Sequence, residues 1–220
     1  MAQVAVKQEQ HVHVADTNTG ISNRKLLLWV FLASDCLFFG SFIATYLVYR
    51  NQSTTGPYPN EILDIPITSV STFVLLMSSL AMVLAVNYAQ RNSVGLARFW
   101  ILAVAALGTV FLLFQIYEFT TFVNEGLTIR SNLFGTTFFI LTGFHGLHVF
   151  IGVLWLLGMA FAHFKGALTS RSVEDLEMAG LYWHFVDIVW IIIFTVIYLI
   201  GFSDGEGLST IEHAAAVVGG

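Results

Sequence analysis

Five predominantly apolar stretches, Leu26–Tyr49, Ile67–Gln90, Phe99–Phe122, Phe134–Ala162 and Ala179–Phe202, take up more than half of the 220-residue chain. A hydrocarbon core of about 30 Å is crossed by about 20 helical residues rising ~1.5 Å each, so every one of these stretches is long enough to span it. Inside lipid the backbone amides must be satisfied within the protein, which leaves helices or a closed barrel. Barrel strands read as segments of about 10 alternating residues, and the sequence contains no such alternation. The prediction is an all-α polytopic membrane protein with five transmembrane helices. Composition agrees: 10% of residues are charged, against about 25% in soluble domains.

Several functional classes are excluded at once. A net charge of −5 argues against a nucleic-acid partner. A single cysteine, Cys36, excludes a disulfide framework and any multi-cysteine metal site; it is expected as a small apolar core residue. The first 23 residues are polar and lack the apolar centre of a signal peptide, so the first span is expected to be an uncleaved anchor. Glu9 and Asp16 argue against a mitochondrial transit peptide, and His11 and His13 are expected in a solvated tail. The expected organisation is a polar tail over 1–24, a five-helix membrane domain over 25–203 and a mobile tail over 204–220.

Loop charges set the orientation. One side holds Lys7, Arg24, Lys25, Arg91, Arg98, Lys165 and Arg171, the other only Arg50 and Arg130. By the positive-inside rule the N-terminus lies inside and the C-terminus outside.

The candidate functional residues are the ionisable groups within the spans: Asp35, Glu118, His145, His148, His184 and Asp187. A charged side chain at a helix centre costs at least about 2–3 kcal/mol on insertion scales, so each is expected to face the bundle and find a partner. Counting ~1.5 Å per residue from the inner helix ends puts His184, Asp187 and Asp35 at about 8, 12 and 14 Å, and His148, His145 and Glu118 at about 21, 26 and 29 Å. Two polar layers are therefore expected, with Glu118 close enough to the outer surface to reach water. His145 with His148, and His184 with Asp187, are three residues apart and share a helix face. Haem or metal ligation by the histidines competes with interhelical hydrogen bonding. For Asp35 a proton relay competes with a packing role. Gly143 and Gly146 are expected to admit a close helix neighbour.

Two segments carry a resemblance. Gly135-Thr-Thr-Phe-Phe-Ile-Leu-Thr-Gly-Phe-His-Gly-Leu-His-Val-Phe-Ile-Gly152 and Tyr182-Trp-His-Phe-Val-Asp-Ile-Val-Trp190 resemble the last two helices of subunit III of haem-copper respiratory oxidases. Ser34-Asp35-Cys36-Leu37-Phe38-Phe39, Leu75–Ser79 and Tyr117-Glu118 extend the similarity over about residues 26–202. It is to the five-helix form, without the two further N-terminal helices of mitochondrial-type members. Gln115 departs from the pattern, since relatives often carry an acidic residue three positions before the one matching Glu118.

The resemblance implies a non-catalytic subunit of a bacterial plasma-membrane terminal oxidase, with cytochrome c or quinol as electron donor; a protein associated with nitric oxide reductase is a related alternative, and a free-standing b-type cytochrome a distant one. It implies no haem or copper in this chain, both being held by partner subunits. The main partner would be the catalytic subunit I, with subunit II and bound phospholipid. By motif position, Asp35 matches a buried carboxyl facing a lipid cleft and linked to proton uptake. His145, His148, His184 and Asp187 match structural polar contacts.

Overall fold

The computed structural model describes residues 22–49, 65–163 and 170–200. The regular structure among them is helical: α1 (Asn23–Tyr49), α2 (Ile65–Gln90), α3 (Val94–Asn124), α4 (Leu133–His163) and α5 (Ser170–Phe194), which continues as a π-helical stretch over Thr195–Ile200. Five helices are long and apolar enough to cross a membrane, as predicted. The expected tails lie outside the described residues, apart from 22–24, where Ser22 precedes α1 and Asn23 begins it.

The helices run past the apolar stretches at most ends, and most at α5, which begins nine residues before Ala179. A search by apolar length stops where charges begin, whereas the hydrogen-bonded helix carries on. Local signals set the true ends. Ser22 caps α1, its Oγ accepting from the Lys25 amide at 3.4 Å, and Asn132 caps α4 through the Gly135 amide at 2.7 Å. Pro66 sits in the first turn of α2, where its missing N–H removes no helical bond.

Two helices end in the same way. Asn92 has φ 58° and Gly126 φ 90°, the left-handed geometry these residue types tolerate best. After Asn92 the Ser93 amide reaches back to the Tyr88 carbonyl at 2.9 Å, and after Gly126 the Leu127 amide reaches Phe122 at 2.9 Å. Both are Schellman closures.

Helices α2, α3, α4 and α5 form a ring in which each packs on the next, and α1 lies outside it in the groove between α4 and α5. The ring closes around Trp183 and Trp190 of α5, which are 1% and 2% exposed. Their indole N–H groups donate across to α2, Trp183 to Ser78 Oγ and Trp190 to Thr72 Oγ1, both at 2.9 Å. Trp183 fits because two helices present no side chain to it: a Cβ on Gly108 would lie 2.6 Å from its ring, and one on Gly152 2.9 Å.

α1 turns one stripe inward, Leu32, Asp35, Phe39 and Tyr46, the 3–4–7 spacing of a single helix face. Cys36 flanks that stripe and is exposed, contrary to the core placement expected for it. The residue before it in the chain took the inward position, and a helix turns ~100° per residue. At the end where α1 begins, an ionic collar joins three helices. Arg24 pairs with Asp175 at 2.7 Å and Lys25 with Glu177 at 2.8 Å. Gln90 also donates to Glu177 at 2.9 Å, and Ser22 donates to Glu174.

Candidate functional site

The six intramembrane ionisable residues fall into three places. The first joins α1 to α4. Asp35 is 5% exposed and its Oδ2 lies 3.4 Å from His148 Nε2. His148 Nδ1 donates to the Phe144 carbonyl of its own helix at 2.8 Å. The pair sits in an aromatic wall: Phe39 lies 5.2 Å from both Phe144 and His148, centroid to centroid. Tyr182 closes it from α5 by donating to the His148 carbonyl at 2.9 Å. Both ring nitrogens of His148 are thus engaged with protein groups.

The second place lies among α2, α4 and α5. His145 is fully buried, with Nε2 donating to the Val186 carbonyl at 3.3 Å and its ring 4.7 Å from Trp190. His184 is half-buried, with Nδ1 2.7 Å from Ser79 Oγ. Asp187, one turn further along α5, is 4% exposed, and neither carboxyl oxygen has a hydrogen-bond partner within 3.5 Å.

The third place contradicts an expectation. Glu118, expected near water, is only 8% exposed. It accepts from Thr68 Oγ1 at 2.7 Å and from Tyr198 Oη at 2.9 Å. The apolar stretch ends at Phe122, whereas the helix continues to Asn124, so Glu118 lies further from the helix end than that stretch implies. The π-helical stretch, which carries fully buried Tyr198, also packs over it.

The two-layer picture fails as well. Asp35 and His148, expected about 7 Å apart in depth at ~1.5 Å per residue, are in contact. The count assumes level helix ends and starts from apolar boundaries, whereas α1 begins three residues before Leu26 and α4 runs to His163. The glycine expectation holds for one residue of two. Gly146 lies against the Gln115 side chain, which a Cβ there would overlap, whereas nothing lies within 4 Å of a Cβ at Gly143. Gln115, the residue that departs from the family pattern, uses this space to donate to the Thr142 carbonyl at 2.7 Å. Gly146→Leu is therefore expected to expel Gln115 and destabilise the bundle by about 1–3 kcal/mol, the usual penalty of overpacking. Adding Gln115→Ala should restore most of the loss in thermal unfolding of the detergent-solubilised chain; no restoration would contradict this packing.

Sequence reading missed the hydroxyl partners Thr68, Thr72, Ser78, Ser79 and Tyr198. The hydroxyl residues Thr68, Ser69, Ser71, Thr72, Ser78 and Ser79 in one apolar span were the visible signal. It is weak, because a helical Ser commonly bonds its own backbone, as Ser78 does with the Leu75 carbonyl at 2.6 Å.

The sequence profile for cytochrome c oxidase subunit III matches residues 4–202. The chain belongs to that family. Among curated subunit III relatives, the cytochrome c oxidase subunit 3 of Bacillus subtilis strain 168 is 37% identical over 180 residues, 81% of this chain and 87% of its own length. The same subunit of Bacillus sp. strain PS3 is 36% identical over 179 residues, 81% of this chain and 86% of its own. The quinol oxidase subunit 3 of Bacillus spizizenii is 36% identical over 173 residues, 79% and 85% of the two chains. Subunit III proteins of both oxidase types therefore resemble this chain equally well.

Proposed function

We propose that the chain is the accessory subunit III of a bacterial haem-copper terminal oxidase, in the plasma membrane, most simply one that uses cytochrome c. The observation that carries this reading is the family match, which spans all five helices with relatives nearly full length on both sides. Haem and copper then belong to partner subunits I and II, where oxygen is reduced and protons are pumped. The role of this chain is to brace subunit I with its lipids and to support proton uptake, with Asp35 acting indirectly. The quinol reading is kept because a quinol oxidase subunit is as similar as the cytochrome c ones.

Geometry supports a bracing role. The buried polar groups reach mainly from one helix to another, Asp35 to His148, Glu118 to Thr68 and Tyr198, and Ser79 to His184. Phospholipid is part of the proposal: α1 presents Leu27 and Leu37, 72% and 76% exposed, to whatever surrounds it. The proposed orientation, N-terminus inside, is supported by Arg24, Lys25, Arg91, Arg98 and Arg171, which sit at the helix ends on the collar side.

Deleting the gene tests the function. The oxidase assembled from the remaining subunits is expected to lose activity progressively during turnover and to take up protons more slowly. Full activity and unchanged pumping over many turnovers would contradict the proposal. Asp35→Asn isolates the indirect role: slower proton uptake with the subunit still bound is expected, and unchanged turnover and pumping would remove that claim alone.

A further inference from the structure

A cavity of about 440 Å³ opens beside the ionic collar, between α1, α2 and α5. Lys25, Gln90 and Glu177 stand at its collar end, and Val83, Val86 and Leu181 give it apolar walls. Small-molecule sites are of this kind, about 300–1,000 Å³ of mostly apolar surface with a few placed polar groups. Charge narrows the choice of ligand. The Lys25 ammonium is already paired with the Glu177 carboxylate at 2.8 Å, and Gln90 donates to the same carboxylate at 2.9 Å. Among the described residues of the lining, Lys25 is the one Lys or Arg, so an anionic headgroup finds no unpaired cation there.

Two neutral polar groups in the lining remain for a ligand, Asn87 of α2 and His184 of α5, both half-buried. The Asn87 side-chain amide has no hydrogen-bond partner among the described residues. His184 uses Nδ1 to meet Ser79 Oγ at 2.7 Å, and its Nε2 has no partner among them either. The contact of Gln90 with Glu177 sets a common level on the two helices. At ~1.5 Å per residue, Asn87 lies about 4–5 Å beyond that level and His184 about 10 Å, so the two differ in depth by about 6 Å. A phospholipid gathers its polar atoms at one end and would lay hydrocarbon against His184, leaving Nε2 unsatisfied. A ring with an oxygen on each of two opposite edges meets both groups. Away from the collar the groove is apolar: exposed Ile188 and Ile191 continue the His184 face of α5, and exposed Leu80 and Leu76 the Val83 face of α2. That is a track for a hydrocarbon tail.

We propose that this cavity binds a prenylated para-quinone or its quinol, with one ring oxygen at Asn87, the other at His184 Nε2, and the tail laid between α2 and α5. The amide of Asn87 both donates and accepts, so it suits either form. A quinol hydroxyl also does both and suits His184 in either tautomer, whereas a quinone carbonyl needs the tautomer that carries the proton on Nε2. The site is one of binding alone, and no electron passes through this chain. The proposal goes beyond the accessory role and is the same whichever donor the oxidase uses.

The test is photolabelling of native membranes carrying the tagged full chain, with a short-tailed azido-ubiquinone as the probe and mass spectrometry of the chain's peptides as the readout. Label is expected on the α2 and α5 segments that line the cavity, and excess decylubiquinone should displace it. Asn87→Leu and His184→Phe should each raise the probe concentration for half-maximal labelling by about fivefold, the loss of one hydrogen bond. Leu181→Trp fills the cavity and should abolish the label. Asn87→Leu lies at the cavity wall and keeps the test decisive if His184→Phe fails to assemble. Labelling that is absent from these segments, or unchanged in both Asn87→Leu and Leu181→Trp, overturns the site. Displacement by phosphatidylglycerol as readily as by decylubiquinone would make the cavity a general lipid groove and overturn the ligand.

Discussion

Trp183→Ala is expected to destabilise the bundle by about 3–5 kcal/mol, the range for removing a buried large aromatic side chain. The indole is 1% exposed and fills the space that Gly108 of α3 and Gly152 of α4 leave open. It also donates to Ser78 of α2, so one side chain touches all three of the other ring helices. Loss of the bond itself is a minor part, because Ser78 Oγ still donates to the Leu75 carbonyl. The coupling to the glycines gives a sharper readout than the size of the loss. Gly108→Ala should be damaging in the wild type, where the new methyl meets the ring, and close to neutral beside Trp183→Ala. Contacting residues show such non-additivity at about 0.5–3 kcal/mol. Equilibrium unfolding in mixed SDS micelles checks it, and additive losses would contradict this packing.

The second large effect concerns the carboxyl–imidazole contact of Asp35 with His148, between α1 and α4. α1 packs mainly on α4 and α5, through Asp35, Phe39 and their neighbours. Removing one partner of a buried polar contact leaves the other unsatisfied, at a cost of about 1–3 kcal/mol, whereas replacing both with apolar groups of similar shape is often nearly neutral. His148→Phe alone is therefore expected to loosen α1 more than the double variant Asp35→Leu/His148→Phe. The same unfolding experiment decides, with protease cleavage after α1 as a second readout. A double variant worse than either single change would mean that the aromatic wall of Phe39 and Phe144, not the carboxyl–imidazole contact, governs the docking.

These two sites show what the sequence reveals and what it hides. The five spans are legible because lipid imposes one length and one backbone solution on all of them. The ionisable residues are legible because the membrane makes them rare. Their partners are not. Asp35 and His148 are 113 positions apart, and their meeting depends on how α1 and α4 are set against each other, which no count from individual helix ends can provide. Glu118 was misplaced for a related reason: its cover comes from the π-helical stretch, and nothing in Thr-Val-Ile-Tyr-Leu-Ile distinguishes that stretch from ordinary helix. Trp183 and its two glycines belong to three helices, so the motif wording marks them without explaining them. Family membership was readable from the wording of α4 and α5, but the choice between cytochrome c and quinol was not, because relatives of both types match this chain equally.

Purification of the tagged chain from its native membrane in a mild detergent tests the central claim most directly. The account predicts recovery with a large haem-copper subunit I and a subunit II, in an oxidase that consumes oxygen. Copper in that subunit II would fix cytochrome c as the donor, and a subunit II without copper ligands would fix quinol. A chain recovered alone, with no haem-bearing partner, would contradict the account.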